Sequence, residues 1–266
     1  MHARMSLPPS QQDPRLAAFA PAAERSLQVF GAPVTLVLLP SRKLRRDRPG
    51  ADRPAFRQSP VPRILGEEVL WRGEGLAMTP NRYPFAAQQR LLWPIEPRRE
   101  PDLAMWTTIG AWVDGCDGTA LLNNIGSAAS IARAHAHLIP ERLPFLDGLA
   151  ERPAPADLLE VPPGVQIVAK DVPFCLLGVR GPAAQRALAI QRLADARLTA
   201  AWNVLCTNGT AWLYPRRQET PAPHFPYALG ASEVWGRWCY GDEDAFAQAT
   251  GAMLEQALLA AGSPAL

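Results

Sequence analysis

Prolines decide first what this chain can be. There are 28 of them in 266 residues, clustered at 8–9, 49–62, 94–101, 153–163 and 215–226, about twice the usual share. Proline removes a backbone donor and clashes with the preceding turn, so no long helix crosses these stretches. Helical spacing of apolar residues is confined to 15–29, 103–113, 181–200 and 242–261. Strand-like runs occupy 34–39, 69–79, 90–94, 119–125, 132–139, 166–168, 174–179, 202–207, 210–214 and 232–240. Asn208-Gly209 between two of them is a tight-hairpin signal, since both residues tolerate positive φ. Short strands joined by hairpins and interrupted by single helices give an α+β fold with an antiparallel sheet. A doubly wound parallel sheet fits less well, because regular alternation and glycine-rich phosphate loops are missing.

The chain reads as an N-terminal extension with a basic, proline-rich loop (1–63) and two loosely similar halves (64–152 and 153–266), each with strands, a helix and a strand pair ending in proline. The half-ends compared are Leu92-Trp93-Pro94 and Leu213-Tyr214-Pro215.

Hydrophobic residues at 48% and charged residues at 20% exclude a disordered tail or a fibre. No apolar run nears the ~18 residues of a membrane span, so no membrane partner is expected. Asp13, Arg15, Glu24 and Arg25 interrupt any secretory signal. Four cysteines without a CxxC pair read as reduced thiols in a cytoplasmic protein. The net charge of +2 is uneven, with eight Lys/Arg and two Asp in 42–63. That segment lacks interleaved aromatics apart from Phe56, which disfavours nucleic acid as the partner; a loop facing an anionic substrate, or a solvated arm, explains it.

Chemistry concentrates in Arg133-Ala134-His135-Ala136-His137-Leu138-Ile139-Pro140, which holds two of the four histidines. On a strand Arg133, His135 and His137 share one face while Ala134, Ala136 and Leu138 turn to the core. Upstream, Asn123, Asn124, Gly126, Ser127 and Ser130 supply amides, hydroxyls and close backbone approach. Neutral imidazole is a competent nucleophile toward phosphorus, and Arg and Ser donors offset charge on phosphoryl oxygens. Two bland readings stand beside this one: a metal pair, short of the three or four ligands zinc requires, and ordinary hydrogen-bonded strand histidines. No metal and no cofactor are expected.

The run from Asn123 through Ser130 to His135 and His137 resembles the histidine-triad superfamily, in particular its nucleotidyltransferase and phosphorylase branch: GDP-galactose phosphorylases, diadenosine tetraphosphate phosphorylases and galactose-1-phosphate uridylyltransferases. That motif has Asn, Gly, Ser or Thr, then His-x-His-x-Gln and a proline. Aligned without a gap, Arg133 stands at the first His, His135 at the nucleophile and His137 at the third position, where the hydrolase branch has His. A gapped alternative makes His137 the nucleophile, with a two-residue insertion after Ser130. Asn81-Arg82-Tyr83-Pro84-Phe85 and Arg90-Leu91-Leu92-Trp93-Pro94 are similar to two phosphorylase strands that enclose the nucleotide, Gln89 standing where His is common. Trp202-Asn203, Pro215-Arg216 and Ala228-Leu229-Gly230 are similar to second-half elements, Arg216 being within reach of a phosphate.

The resemblance implies a HIT-like antiparallel sheet with flanking helices and two related halves in one chain. It further implies a nucleotidyltransferase or phosphorylase that works through a covalent nucleotidyl-His135 intermediate. The substrate would be a nucleotide or nucleotide sugar, such as a nucleoside diphosphate sugar or dinucleoside polyphosphate. Inorganic phosphate or a sugar phosphate would be the acceptor. The alternatives are a nucleotide hydrolase and a nucleotide-binding module without turnover.

Overall fold

The computed structural model describes residues 13–42, 61–155, 158, 160–207 and 209–266. Residues 43–60 of the basic segment and Asn208 lie outside the described residues.

The 15–29 helix expected from spacing is a strand in its second part. β1 (Ala23–Val29) alternates half-buried and exposed side chains up to the buried Val29 and pairs antiparallel with β2 (Ala32–Leu38) in full register. Phe30 and Gly31 both take positive φ (49° and 77°), the backbone a two-residue hairpin requires. Tertiary pairing thus overrides the helical period, and β2 also pairs in parallel with β13 (Arg237–Tyr240).

After α1 (Val61–Glu67), the 69–79 run resolves into a hairpin of β3 (Trp71–Gly73) and β4 (Leu76–Pro80), followed by β5 (Arg90–Pro94). α2 (Leu103–Cys116) starts at Asp102, whose carboxylate accepts the Met105 N–H at 3.0 Å. That is an N-cap of the common kind. β6 (Thr119–Asn123) and β7 (Ala136–Ile139) complete the first half. β7 is shorter than the 132–139 run, so Arg133 and His135 sit on the loop that leads into it.

α3 (Phe145–Gly148) leads to β8 (Glu151–Pro153), β9 (Gln166–Lys170) and β10 (Leu177–Arg180). α4 (Ala183–Asp195) then precedes β11 (Ala201–Thr207) and β12 (Thr210–Arg216), whose register leaves a two-residue connection. The 232–240 run opens as a helix, α5 (Ala231–Trp235), before Gly236 at φ +105° turns the chain into β13. The last predicted helix is two, α6 (Glu243–Gln248) and α7 (Gly251–Ala261), each with its own cap, Asp242 and Thr250.

One antiparallel ten-stranded sheet runs β3-β4-β5-β7-β6-β11-β12-β10-β9-β8. Counted inward from its two edges the order is the same: three strands in sequence, then a hairpin in reversed order. A helix precedes each hairpin, so the halves repeat one unit about the β6–β11 pair, where Leu121 faces Leu205. The expected α+β sheet of two related halves is the observed one, with one change of correspondence. β12, which contains Leu213-Tyr214-Pro215, is the counterpart of β7 with Leu138-Ile139 before Pro140, and not of β5.

The two sheet faces differ. α2 and α4 pack together on one face, burying Met105, Ile109, Ala187 and Ile190 over Ala120, Ala136, Val204 and Leu213. The Arg186 guanidinium donates to the Asp114 carboxylate at 2.8 Å between them. On the other face the small sheet and α7 cover the second half, so Trp212 and Tyr214 are core. Gly178 faces Trp212 because a Cβ there would lie 2.6 Å from the indole.

Candidate active site

The face left to the first half carries the histidines. In β7 His137 lies opposite Leu91 of β5 and Leu121 of β6. Alternation along β5 then puts Gln89, Leu91 and Trp93 on the histidine side.

His135 is buried at 5% exposure. Its Nδ1 is 2.8 Å from the carbonyl oxygen of Arg133. A carbonyl only accepts, so Nδ1 carries the proton and, in the neutral ring, Nε2 carries the lone pair. The indole of Trp93 stacks on the imidazole, with centroids 4.7 Å apart and planes 27° apart. Trp93 is itself fixed by its Nε1–H donating to Thr79 Oγ1 at 2.9 Å.

His137 has the opposite tautomer. Its Nδ1 is 2.8 Å from Nε2 of Gln89, and the Gln89 Oε1 accepts the Phe85 N–H at 2.9 Å. The amide nitrogen is therefore the group facing the ring, Nδ1 accepts, and the neutral imidazole has its proton on Nε2. The imidazoles meet edge to face, with centroids 5.4 Å apart.

Arg133 is buried, and its Nη2 ties it to the carbonyls of Pro94 and Ile95. Among the described residues its Nε has no hydrogen-bond partner. Among the described residues no carboxylate pairs with it, and burial lowers its pKa from the ordinary arginine value. The guanidinium is thus desolvated without a carboxylate partner among the described residues, two residues before His135 in the chain.

The loop from β6 to β7 is bound to the second half by the residues expected on phosphate. Asn123 Oδ1 accepts from Asn203 Nδ2 and the Ala231 N–H. Asn124 Oδ1 accepts the Trp202 N–H at 2.7 Å while its amide donates to the Ala200 carbonyl. The Ser127 hydroxyl donates to the Trp202 carbonyl at 2.6 Å. Gly126 turns the loop at φ +91°, where a Cβ would come within 3.1 Å of Ala201 Cβ. Glu219 clamps the Ala128 N–H at 2.8 Å. Ser130 follows, half-buried, five residues before His135.

The 81–88 turn lies beyond β4. Asn81 Oδ1 caps it by accepting the Tyr83 N–H at 3.1 Å, and the Tyr83 side chain is exposed. Arg216 departs from its expected place. All five of its donors are engaged, Nε on Ala261 O, Nη1 on Asn203 Oδ1 and Leu229 O, and Nη2 on Gln218 O and Glu219 O. Nothing of the guanidinium is left over for a phosphate. His224 lies half-buried in the 221–226 turn.

The site thus gathers Arg133, His135, His137 and Gln89. Asn123, Asn124, Ser127 and Arg216 form the framework that holds it. Sequence reading missed Glu219 as a site neighbour; Phe85 and Trp93 entered it only within the two strand segments, where the alternation Gln89-Leu91-Trp93 puts the indole on the histidine side. Among the described residues no group of three or more His, Cys, Asp or Glu is placed to hold a metal ion. Nor, among them, is any helix long and apolar enough to cross a membrane.

No family model matches the sequence, and no curated protein does. Solved structures do. The chain is similar to yeast Ap4A phosphorylase Apa2 in complex with Ap4A, at a TM-score of 0.69 and 16% identity over 95% of this chain and 93% of that one. The same yeast enzyme in complex with AMP gives 0.69 and 17% over 95% and 91%. A third structure of it gives 0.66 and 15% over 92% and 90%. Identities this low establish a shared fold alone, and that fold is an α+β one with an extended antiparallel sheet, as expected.

Proposed function

We propose that the chain is a nucleotidyltransferase or phosphorylase that takes a nucleotide substrate, a nucleoside diphosphate sugar or dinucleoside polyphosphate, through a nucleotidyl-His135 intermediate. The observation that carries this reading is the 2.8 Å contact of His135 Nδ1 with the Arg133 carbonyl, which turns the lone pair onto Nε2. It favours the ungapped alignment, because the Gln89 contact makes His137 Nε2 a donor instead.

The steps follow from those atoms. His135 Nε2 attacks the nucleoside-bearing phosphorus; a P–N bond forms, the P–O bond to the leaving phosphate breaks, and its electron pair departs with that oxygen. Oxygen of inorganic phosphate or of a sugar phosphate then attacks the same phosphorus and expels the imidazole. The His137 Nε2–H donates to a phosphoryl oxygen, and the Arg133 charge opposes the negative charge that builds there. Asn123, Asn124 and Ser127 act through the loop they hold, Gly126 and Ser130 border the phosphate, and Asn81 and Tyr83 border the base. The whole-length likeness to a yeast phosphorylase seen with Ap4A and AMP supports a nucleotide substrate. The free thiols suit a reducing, cytoplasmic compartment.

The test is trapping. Protein mixed with α-phosphorus-labelled nucleotide sugars or dinucleoside polyphosphates should acquire acid-labile, base-stable label, lost in His135→Ala. Turnover should fall by about 10³-fold or more in that variant, with its far-UV circular dichroism intact. Product formation that persists in His135→Ala, or label that maps to residue 137, sinks the assignment. Nucleotide binding without product across the whole panel would identify a binding module.

A further inference from the structure

We propose that Gln89 is a positioning residue: its carboxamide fixes His137 as the neutral imidazole protonated on Nε2, so that the centre holds one imidazole presenting a lone pair and one presenting a donor. The role rests on the reaction assigned to His135 above; the tautomer itself does not.

Two contacts and burial set the amide's orientation. The Phe85 N–H can only donate, and the Gln89 atom 2.9 Å from it is therefore the carbonyl oxygen. Gln89 is 1% exposed, so water does not compete for either end. Inverting the amide would set its NH2 against the Phe85 N–H and leave its oxygen facing the ring. In the observed orientation the NH2 faces His137 Nδ1 at 2.8 Å. An imidazole with hydrogen on Nδ1 would place donor against donor there, whereas the Nε2–H tautomer makes the bond.

The turn that carries Phe85 is held in its turn. Arg237 Nη1 donates to the Phe85 carbonyl at 3.3 Å, and the same guanidinium grips both oxygens of Glu141 at 2.9 and 2.7 Å. Glu141 lies two residues past the end of β7, the strand that bears His137. The path from His137 through Gln89, Phe85, Arg237 and Glu141 therefore returns to its own strand, and β13 braces the ring from the other sheet. Phe85 also packs its ring 5.3 Å from the imidazole.

The consequence is a division of labour between like side chains. His135, held by a carbonyl, offers Nε2 as nucleophile; His137, held by an amide N–H, offers Nε2–H without needing a positive charge. Replacing the amide by a carboxylate inverts the second half of this arrangement, because the introduced oxygen would accept from Nδ1–H of His137 and leave a lone pair on Nε2 facing phosphoryl oxygen.

The experiment uses the full chain with ¹⁵N-histidine, which has only four imidazoles to assign. Long-range ¹H–¹⁵N correlation at neutral pH should show His137 with unprotonated Nδ1 and protonated Nε2 in the wild type, and the reverse in Gln89→Glu. Gln89→Met keeps the shape without the donor and should show both tautomers. With the substrate that labels His135, Gln89→Glu should lower kcat by about 100-fold and Gln89→Met by about 10-fold, with KM little changed. A wild-type His137 protonated on Nδ1 overturns the proposal. So does wild-type kcat in Gln89→Glu, and so does a loss confined to KM, which would make Gln89 a substrate ligand. If Gln89→Glu fails to fold, the wild-type spectrum and Gln89→Met still decide. Absence of any His135 adduct would refute the reaction while leaving the tautomer result standing.

Discussion

Gln89 on the approach to β5 donates to Nδ1 of His137 on β7 across 2.8 Å. In the sequence these are two separate departures from the phosphorylase motif, a glutamine where histidine is common and a histidine where glutamine is usual. In the fold they are one contact between neighbouring strands. Set against the motif that the sequence resembles, imidazole and carboxamide would have exchanged places, with a hydrogen-bond donor still at the position of His137.

Arg133 is the remaining departure, and its geometry separates two contributions. Arg133→Met keeps the buried bulk but removes the charge and the ties to Pro94 and Ile95. Its kcat/KM should fall by about 10²-fold, roughly 3 kcal/mol of transition-state stabilisation. Stability should fall by about 1–3 kcal/mol, since two carbonyls lose their donor. Paired kinetics and urea unfolding check this; unchanged kcat/KM with lowered stability would make Arg133 a scaffold residue alone.

Local chemistry was legible in the sequence where the chain supplies both partners itself. The alternation that turns His137 away from Ala136 and Leu138 needs no distant contact, whereas Arg133 and His135, expected on the same strand, lie on the loop before it. The two-residue hairpin that includes Gly209 needs no distant contact either. What depends on distant pairing was not legible. β1 looks helical because Leu16, Ala17, Ala18 and Phe19 extend its apolar pattern backward, and only β2, itself anchored on β13 some 200 residues later, makes it a strand. Asn123, Asn124 and Ser127 read as phosphate ligands because the sequence hides their partners on β11. A polar residue in a loop looks available until the strand that engages it is known.

The repeat predicts one reactive centre per chain. β12 places Thr210, Trp212 and Tyr214 on the face that His137 occupies in β7, and the small sheet buries Trp212 and Tyr214. The twelve-residue loop from β6 to β7 becomes a two-residue turn between β11 and β12. Quantitative trapping should therefore saturate at one nucleotidyl group per polypeptide, all of it on the first half. Label recovered in peptides from 151–216 would refute this.

Buried thiols predict alkaline behaviour. Burial pushes Cys175 up to about 11 and Cys206 up to about 12, against 9.0 for an unhindered thiol. On raising the pH the unfolded chain releases these protons first, so stability is undiminished below about pH 9 and declines as pH climbs toward 12. Each thiol contributes a slope of about 1.4 kcal/mol per pH unit within that window. Cys206→Ala should flatten the decline in urea unfolding measured from pH 8 to 11, whatever it costs at pH 8. An identical slope in wild type and variant would show that burial of this thiol is not what the alkaline transition reports.

Arg216 distinguishes a framework arginine from a phosphate ligand. Its guanidinium joins β12 to the Asn203 carboxamide, to the carbonyls of Gln218, Glu219 and Leu229, and to Ala261 at the end of α7. Asn203 in turn holds Asn123 and the Ser127 carbonyl, so the arginine braces the β6–β7 loop from behind. Arg216→Met should cost about 3–5 kcal/mol, because several buried acceptors lose their donors at once. Arg216→Lys should recover little of that, since an ammonium has three donors and no fork to match the five acceptors. At a temperature where the variants remain folded, nucleotide affinity should be close to that of the wild type. Equilibrium unfolding together with calorimetric nucleotide titration tests the claim, and a variant of undiminished stability that no longer binds nucleotide would return Arg216 to the phosphate.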